Sequence, residues 1–244
     1  MPHPSPLSSF IAGARDTLPM LIGAAPFGMI FGTLVATAQM NAWQGQMMSL
    51  SVFAGSSQFI AVGLIASHTG MLVIWLATFI VNLRHMLYAA TLMPHVRHLS
   101  QRWRWLLGFL LTDETFAVMD RYYRSHPHAQ YGHWYFLGSG LAMYGNWQCW
   151  TLIGLLFGAI FPQLQTLGLD FAMVATFIAI VVPQLVRLPH IAAAATAGGV
   201  AYLLQDLPYK LGLLAAITLG VAVGLLLSHL RTSDKTTKIN TERT

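Results

Sequence analysis

The chain alternates long apolar runs with short polar links, from Leu18 almost to its end. A run of about 20 apolar residues matches the hydrocarbon thickness of a bilayer and predicts a membrane-spanning helix. We predict seven spans, at 18–38, 46–67, 71–93, 134–161, 171–188, 190–204 and 211–230. The pattern therefore predicts an all-α, polytopic membrane helix bundle.

One further stretch, WRWLLGFLLTDETFAVMDRYY at 103–123, is apolar but carries Asp113 and Glu114 at its centre. It is either a re-entrant segment or an eighth helix. Lysine and arginine mark the cytoplasmic ends of membrane spans, and they crowd the link at 94–104 and the tail at 231–244. Both can lie on one side only if the acidic stretch dips in and returns. That solution predicts an external N-terminus and an internal C-terminus.

The composition supports a membrane protein over a soluble enzyme. Of the 244 residues 55% are hydrophobic and 9% are charged, against about 25% charged in a soluble domain. The net charge of +5 comes from clusters that flank the spans, so we predict no nucleic-acid surface. The single cysteine, Cys149, excludes a disulfide framework and a cysteine-based metal site.

Metal and nucleotide chemistry find little support in the sequence. The ten histidines lie mostly in links and lack the spacing of a metal site. The chain has no Gly-Lys-Ser/Thr loop for a nucleotide phosphate. We therefore predict no metal and no cofactor, and a gradient or a partner as the source of energy.

Residues 1–230 are predicted to form one integral-membrane domain with repeat halves near 18–123 and 134–230, followed by a disordered, basic cytoplasmic tail at 231–244. Six residues match at an offset of 126: Gly28 and Gly154, Phe31 and Phe157, Gly32 and Gly158, Gln39 and Gln165, Met47 and Met173, Gln58 and Gln184. Three crossings would separate the copies, so the second would be inverted. A weak inverted repeat with interrupted helices is typical of secondary transporters, whose substrate site lies at the interruptions.

Two interruptions fall at matching positions of the halves, at 53–59 (FAGSSQF) and 181–189 (VVPQLVRLP). A broken helix frees amides and carbonyls for a ligand. The predicted substrate-binding residues at the interruptions are Gly55, Ser56, Ser57, Gln58, Phe59, Pro183 and Gln184. The alternative is that small residues only let helices approach closely. We prefer that alternative for the pairs Gly28 and Gly32, Gly154 and Gly158, and Gly220 and Gly224.

Arg84 lies within the third apolar run, in FIVNLRHMLYAATLM at 79–93. An unpaired arginine at the bilayer centre costs about 2.5–3.5 kcal/mol, so it usually pairs or faces a wet cavity. Asn82 lies on the same polar stripe, and Asp113 and Glu114 are the natural counter-charges, of which we prefer Asp113. Three interpretations stay open: a transport site, a structural ion pair, and an arginine that extends to the inner headgroups.

Four ordered motifs carry a family resemblance: LPMLIGAAPFGMIFG at 18–32, SVFAGSSQFIAVGL at 51–64, VNLRHMLYAATLMP at 81–94 and LLTDETFAVMDRYY at 110–123. They resemble the AzlC-type branched-chain amino acid permeases, the larger subunit of a two-component exporter. The resemblance covers most of the chain and is sharpest in the first 125 residues. It implies a multi-pass protein of the bacterial inner membrane, not an enzyme, with a small AzlD-type membrane subunit as its partner. The implied cargo is leucine, isoleucine, valine and, as a further candidate, methionine.

The family features that this chain keeps are Pro26, Phe27, Gly28, Gly55, Gln58, Asn82, Arg84, Asp113 and Glu114. We hypothesise that Arg84 and the amides near 55–58 bind the carboxylate of the amino acid. Asp113 or Glu114 would bind its ammonium group or a coupling proton. Two alternatives stay open: an uptake carrier or channel for small zwitterions, and a membrane enzyme or sensor that transports nothing.

Overall fold

The computed structural model describes residues 5–127, 129–160, 178, 182, 185–207 and 211–241. Every regular element among them is a helix, which confirms the all-α class. The helices are α1 (Pro6–Asp16), α2 (Leu18–Thr37), α3 (Ala42–Val52), α4 (Gly55–Ala66), α5 (Met71–Asn82), α6 (Arg84–Val96), α7 (Gln101–Phe109), α8 (Asp113–Ser125), α9 (Gly132–Ile160), α10 (Leu188–Leu203) and α11 (Leu211–Thr241).

The chain divides into two compact units, which are described separately. The first contains residues 1–68 and 74–173, and the second contains residues 69–73 and 174–244. Among the described residues two segments are long and apolar enough to cross a membrane, Leu18–Ala36 and Met71–Val96. The longer segment joins α5 and α6 across Leu83. The prediction of one domain over residues 1–230 stays a prediction.

Helix α9 is the element of the first unit against which α1, α2, α3, α7 and α8 pack. Helix α2 runs in the same direction as α9. The Asn146 side chain donates to the Leu21 carbonyl at 3.1 Å, Gly28 lies against Trp150, and Gly32 lies against Gly154. The residue numbers of the two helices rise together. The predicted packing role of Gly28, Gly32 and Gly154 is confirmed, but the predicted inversion between these two segments is wrong.

Helix α3 runs against α9. Gly45 lies beside Leu155, Ser49 Oγ is 3.2 Å from Thr151 Oγ1, and the Tyr144 hydroxyl donates to the Leu50 carbonyl at 3.0 Å. The helix ends at Val52. Phe53, which follows it, is a non-glycine residue held in the left-handed region at φ 39°, and Ala54 is extended. Phe53 keeps this strained conformation because it is buried and its ring packs on Tyr144 at 4.8 Å.

Helix α4 turns back after Phe53, as the contacts of its neighbours show. Ser57 of α4 bonds to Asn82 and Ser56 bonds to Arg84. In each pair the two residues lie about equally far in sequence from the short link between α4 and α5, as in a hairpin. Helix α4 therefore runs against α5 and α6. Helices α6 and α8 run side by side in one direction, because Tyr88 meets Asp113 and His95 stacks on Tyr123 at 4.2 Å.

Helix α8 in turn runs against α9. Its last residues meet the first residues of α9, with Tyr123 beside Gly132 and Tyr122 stacked on Tyr135 at 3.8 Å. Helix α6 therefore also runs against α9. Because α4 runs against α6, α4 runs in the same direction as α9. Helices α3 and α4 thus form a hairpin. The prediction that residues 46–67 cross as one span is wrong, because the break at Phe53 and Ala54 reverses the chain.

Helices α7 and α8 form a second hairpin that starts from the opposite end of the unit. Trp103 lies near Trp134 at 5.3 Å, Leu110 lies against Gly140, and the Phe109 ring is 5.6 Å from Tyr144, so α7 runs with α9. Helix α8 returns, as predicted for the acidic stretch. Each arm of the two hairpins is about 14–20 Å long, roughly half of a ~30 Å hydrocarbon core.

Helix α1 lies at the same end of the unit as the basic link 94–104. Gly13 of α1 approaches the Tyr135 backbone, and Tyr135 is on the first turn of α9 beside the end of α8. The sequence placed the N-terminus and this link at opposite ends. The expectation that they lie at opposite ends is wrong, because α3 and α4 form a hairpin and do not cross the unit.

In the second unit α10 and α11 pack as an antiparallel pair. Gly220 lies against Ala197, Gly224 lies against Ala193, and Gly212 approaches Leu204, which confirms the predicted packing role of Gly220 and Gly224. Helix α11 continues to Thr241. The segment 231–241, expected as a disordered tail, therefore has a helical backbone, because its polar residues include no proline or glycine that would end the helix.

Candidate functional site

Three helix interruptions meet in the first unit. They are the tip of the α3–α4 hairpin at Phe53 and Ala54, the junction of α5 and α6 at Leu83, and the tip of the α7–α8 hairpin at 110–112. The Phe53 and Phe109 rings bring the two tips together at a centroid distance of 6.1 Å. The N-termini of α4 and α8 consequently lie beside the start of α6.

Arg84, the first residue of α6, joins the two hairpins. Its Nη2 lies 3.0 Å from Asp113 Oδ2 and also donates to Ser56 Oγ. The Arg84 side chain is 22% exposed and the Asp113 side chain is 43% exposed. The preferred counter-charge, Asp113, is thus the one that the structure pairs with Arg84. The interpretation in which Arg84 extends to the headgroups is wrong, because both of these contacts hold its guanidinium at the hairpin tips.

Asp113 has a second partner. The Tyr88 hydroxyl donates to Asp113 Oδ1 at 2.6 Å, so each carboxylate oxygen has its own donor. The Tyr88 ring is stacked on Phe116 at 4.3 Å, which fixes the direction of the hydroxyl. Asp113 occupies the first turn of α8, where the helix dipole favours a negative charge.

The first turns of α4 carry the other polar groups. The Ser57 hydroxyl donates to Asn82 Oδ1 at 2.6 Å, which ties α4 to the end of α5. Trp147 of α9 donates from its indole nitrogen to Gln58 Oε1 at 3.0 Å. Gly55 lies under the same indole, where an added Cβ would come within 2.9 Å of a ring carbon.

Two buried donors at this site have no hydrogen-bond partner among the described residues. They are Nε of Arg84 and Nε2 of Gln58. The Gln58 side chain is fully buried, and because an indole nitrogen can only donate, its amide oxygen must face Trp147. Its NH₂ group then points away from Trp147. Unpaired buried donors are costly, and each of these two groups could donate to a bound ligand.

An apolar wall lies next to these donors. Phe59 is 1% exposed, and its ring meets Phe31 edge to face at 6.0 Å. Phe31 in turn stacks on Trp147 at 6.4 Å. The site therefore combines charged and neutral hydrogen-bonding groups with aromatic surface, as small-molecule sites commonly do.

The structure brings together most of the predicted site residues. Gly55, Ser56, Ser57, Gln58, Phe59, Asn82, Arg84 and Asp113 all lie around the three interruptions. Glu114 is half-buried beside them, but the ion pairs of the described residues are those of Arg84 with Asp113 and of Arg124 with Asp120. Pro183 and Gln184 lie outside the described residues.

Tyr88, Trp147 and Phe31 belong to the site but were not among the predicted binding residues. Tyr88 lies one helical turn after Arg84, and that spacing is a usable signal for a shared face. Trp147 lies inside the apolar run 134–161, where nothing distinguishes an indole that bonds to a buried amide from one that only packs. Among the described residues no group of three or more histidine, cysteine, aspartate or glutamate side chains could hold a metal ion.

Comparison with known proteins gives one family. A family model described as AzlC protein matches residues 19–161. An uncharacterized membrane protein of Helicobacter pylori strain J99 is 30% identical over 183 residues, which cover 74% of this chain and 78% of that protein. The Inner membrane protein YgaZ of Escherichia coli K12 is 24% identical over 231 residues, or 92% of this chain and 94% of that protein.

A relative from Bacillus subtilis strain 168, the Branched-chain amino acid transport protein AzlC, is 27% identical over 177 residues, or 72% of this chain and 68% of that protein. No solved structure matches the chain. The matched region of the family model contains both hairpins and the whole of the site around Arg84.

Proposed function

Because the chain belongs to the AzlC protein family, in which a relative is named for branched-chain amino acid transport, we propose that it exports leucine, isoleucine, valine and similar hydrophobic amino acids. The observation that carries the proposal is the position of Arg84. It joins two hairpins that enter from opposite ends, it pairs with Asp113, and its Nε has no partner within the described part of the chain.

The chemistry of an amino acid fits the groups at the site. A zwitterion that leaves water needs donors around its carboxylate and an acceptor for its ammonium group, while its side chain needs apolar contact. Arg84, Gln58 and the N-terminus of α4 supply donors. Asp113 or Glu114 supplies the acceptor for the ammonium group or for a coupling proton. Phe59 and Phe31 supply the apolar contact.

The two hairpins suggest how access alternates. The tips of α3–α4 and α7–α8 meet at Phe53 and Phe109, so withdrawal of either hairpin would open the site toward one end of the unit while the other keeps it closed. The two hairpins have opposite orientation, as in transporters built from inverted repeats. A proton gradient would drive the cycle.

The charge distribution supports an orientation in the bacterial inner membrane. Arg15, Arg97, Arg102, Arg104, Arg121 and Arg124 belong to segments at the end of the unit that contains α1, while residues 38–70 contain no lysine or arginine. The positive-inside rule then assigns that end to the cytoplasm. A small AzlD-type subunit would complete the exporter. Pro183 and Gln184 stay predicted contributors from the second half.

The test is efflux of labelled leucine from loaded cells. Arg84→Ala and Asp113→Asn should each slow efflux about ten-fold or more, since a lost hydrogen bond to a charged group is worth about 1.5–3 kcal/mol. Arg124→Ala is the matched control, because Arg124 makes an equally short ion pair with Asp120, at 2.9 Å, on an exposed helix face. Normal efflux by both site variants, at normal protein levels, would remove Arg84 and Asp113 from the transport path.

A further inference from the structure

We propose that the Arg84–Asp113 ion pair opens only for a zwitterion, so that Asp113 selects amino acids against the corresponding carboxylic acids. This inference rests on the proposed transport function. It concerns whether the site binds an amino acid or the carboxylic acid that differs from it only by the missing amino group.

Asp113 occupies the place that a cargo carboxylate would need. Its Oδ2 lies 3.0 Å from Nη2 of Arg84, in the contact that an arginine makes with any carboxylate. A cargo carboxylate must displace Asp113 from that nitrogen. It can compete because it would also meet Nε of Arg84, a buried donor that has no partner among the described residues while Asp113 holds the guanidinium.

Displacement frees only one oxygen of Asp113. Oδ1 stays with the Tyr88 hydroxyl at 2.6 Å, and stacking on Phe116 keeps that hydroxyl in place. Oδ2 then faces the ligand without a donor. An ammonium group, with three N–H donors, replaces the guanidinium at Oδ2 and keeps the site balanced in charge.

A singly charged ligand cannot make this exchange. A carboxylic acid anion would take Arg84 but leave two carboxylates side by side, and like charges at this distance repel. An amine would have to displace the Arg84 guanidinium from Asp113. Two positive charges would then lie side by side and repel each other. Only a molecule with both charges replaces both partners.

The experiment measures ligand binding by isothermal titration to the purified full-length protein in detergent. The ligands are leucine, 4-methylpentanoate, which lacks the ammonium group, and 3-methylbutylamine, which lacks the carboxylate. Wild-type protein should bind leucine about ten-fold or more tightly than either analogue, because each analogue loses a charged hydrogen bond. In Asp113→Asn the order should reverse, with 4-methylpentanoate binding at least as tightly as leucine. Asp120→Asn, which alters the other ion pair, should keep the wild-type order.

The outcomes separate the two ideas. If wild-type protein binds 4-methylpentanoate as tightly as leucine, the inference is overturned and the transport proposal stands. If Asp113→Asn is folded and still prefers leucine, the inference is also overturned. Should Asp113→Asn fail to fold, the wild-type comparison decides by itself. If no hydrophobic amino acid binds the wild-type protein, the proposed function fails and this inference fails with it.

Discussion

The contact between α2 and α9 can be tested at one glycine. A Cβ added to Gly154 would lie 2.0 Å from the Met29 carbonyl oxygen and 3.0 Å from Gly32 Cα. Gly145, two and a half turns earlier on α9, has nothing within 4 Å of such an atom. A substitution of glycine by alanine therefore tests a close helix contact at position 154 and open space at position 145.

The magnitude follows from the backbone. Ordinary contact with Cβ begins at about 3.4 Å, so Gly154→Ala must move α2 and α9 apart by about 1.4 Å, and a main-chain carbonyl cannot turn aside as a flexible side chain can. Overpacking of this kind costs about 1–3 kcal/mol, and we expect the upper end. Both variants gain the same helix propensity from alanine, so the difference between them isolates the steric cost.

The assay is thermal unfolding of both variants in one detergent. For a chain of this length each kcal/mol lowers the melting temperature by about 2–4 °C, so Gly154→Ala should melt several degrees below Gly145→Ala. Equal melting temperatures would refute the close contact of α2 with α9. The parallel direction of these two helices would then lose its support.

Two further predictions concern the site and the hairpin tips. Trp147→Phe removes the donor that orients Gln58, so leucine binding should weaken about ten-fold while protein levels stay normal; unchanged affinity would show that the indole only packs. With Cys149 replaced by Ser, a reducible cross-linker between Phe53→Cys and Phe109→Cys should stop leucine efflux, and reduction should restore it. Efflux that continues through the cross-link would mean that the tips do not separate during transport.

The pairing of Arg84 with Asp113 could be predicted because a charge in an apolar run has few inexpensive solutions. Asp113 and Glu114 were the nearest opposite charges with a comparable position in the membrane. The interruption at 53–59 could also be predicted, since glycine, two serines and a glutamine in succession are unusual inside an apolar helix.

The reversal of the chain at Phe53 could not be predicted in the same way. A hairpin of two half-length helices and a single full-length span contain the same number of apolar residues, so run length does not distinguish them. The left-handed conformation usually favours glycine, and here a phenylalanine adopts it. What holds Phe53 there is its packing on Tyr144 and Phe109, which are distant in sequence. The expected inversion between the two halves fails at this point, because α2 and α9 run in the same direction.

The most direct test of the central claim is whether water and cargo reach the groups around Arg84. In a Cys149→Ser background, Ser56→Cys places a thiol on the residue that accepts from Arg84, while Leu87→Cys places one on a position of α6 that is 70% exposed. A thiol in hydrocarbon does not ionise and reacts slowly. A water-soluble cationic thiosulfonate should modify Ser56→Cys, leucine should protect it, and Leu87→Cys should react slowly with or without leucine. Modification of Ser56→Cys at a rate that leucine leaves unchanged would contradict a binding site at the meeting point of the two hairpins.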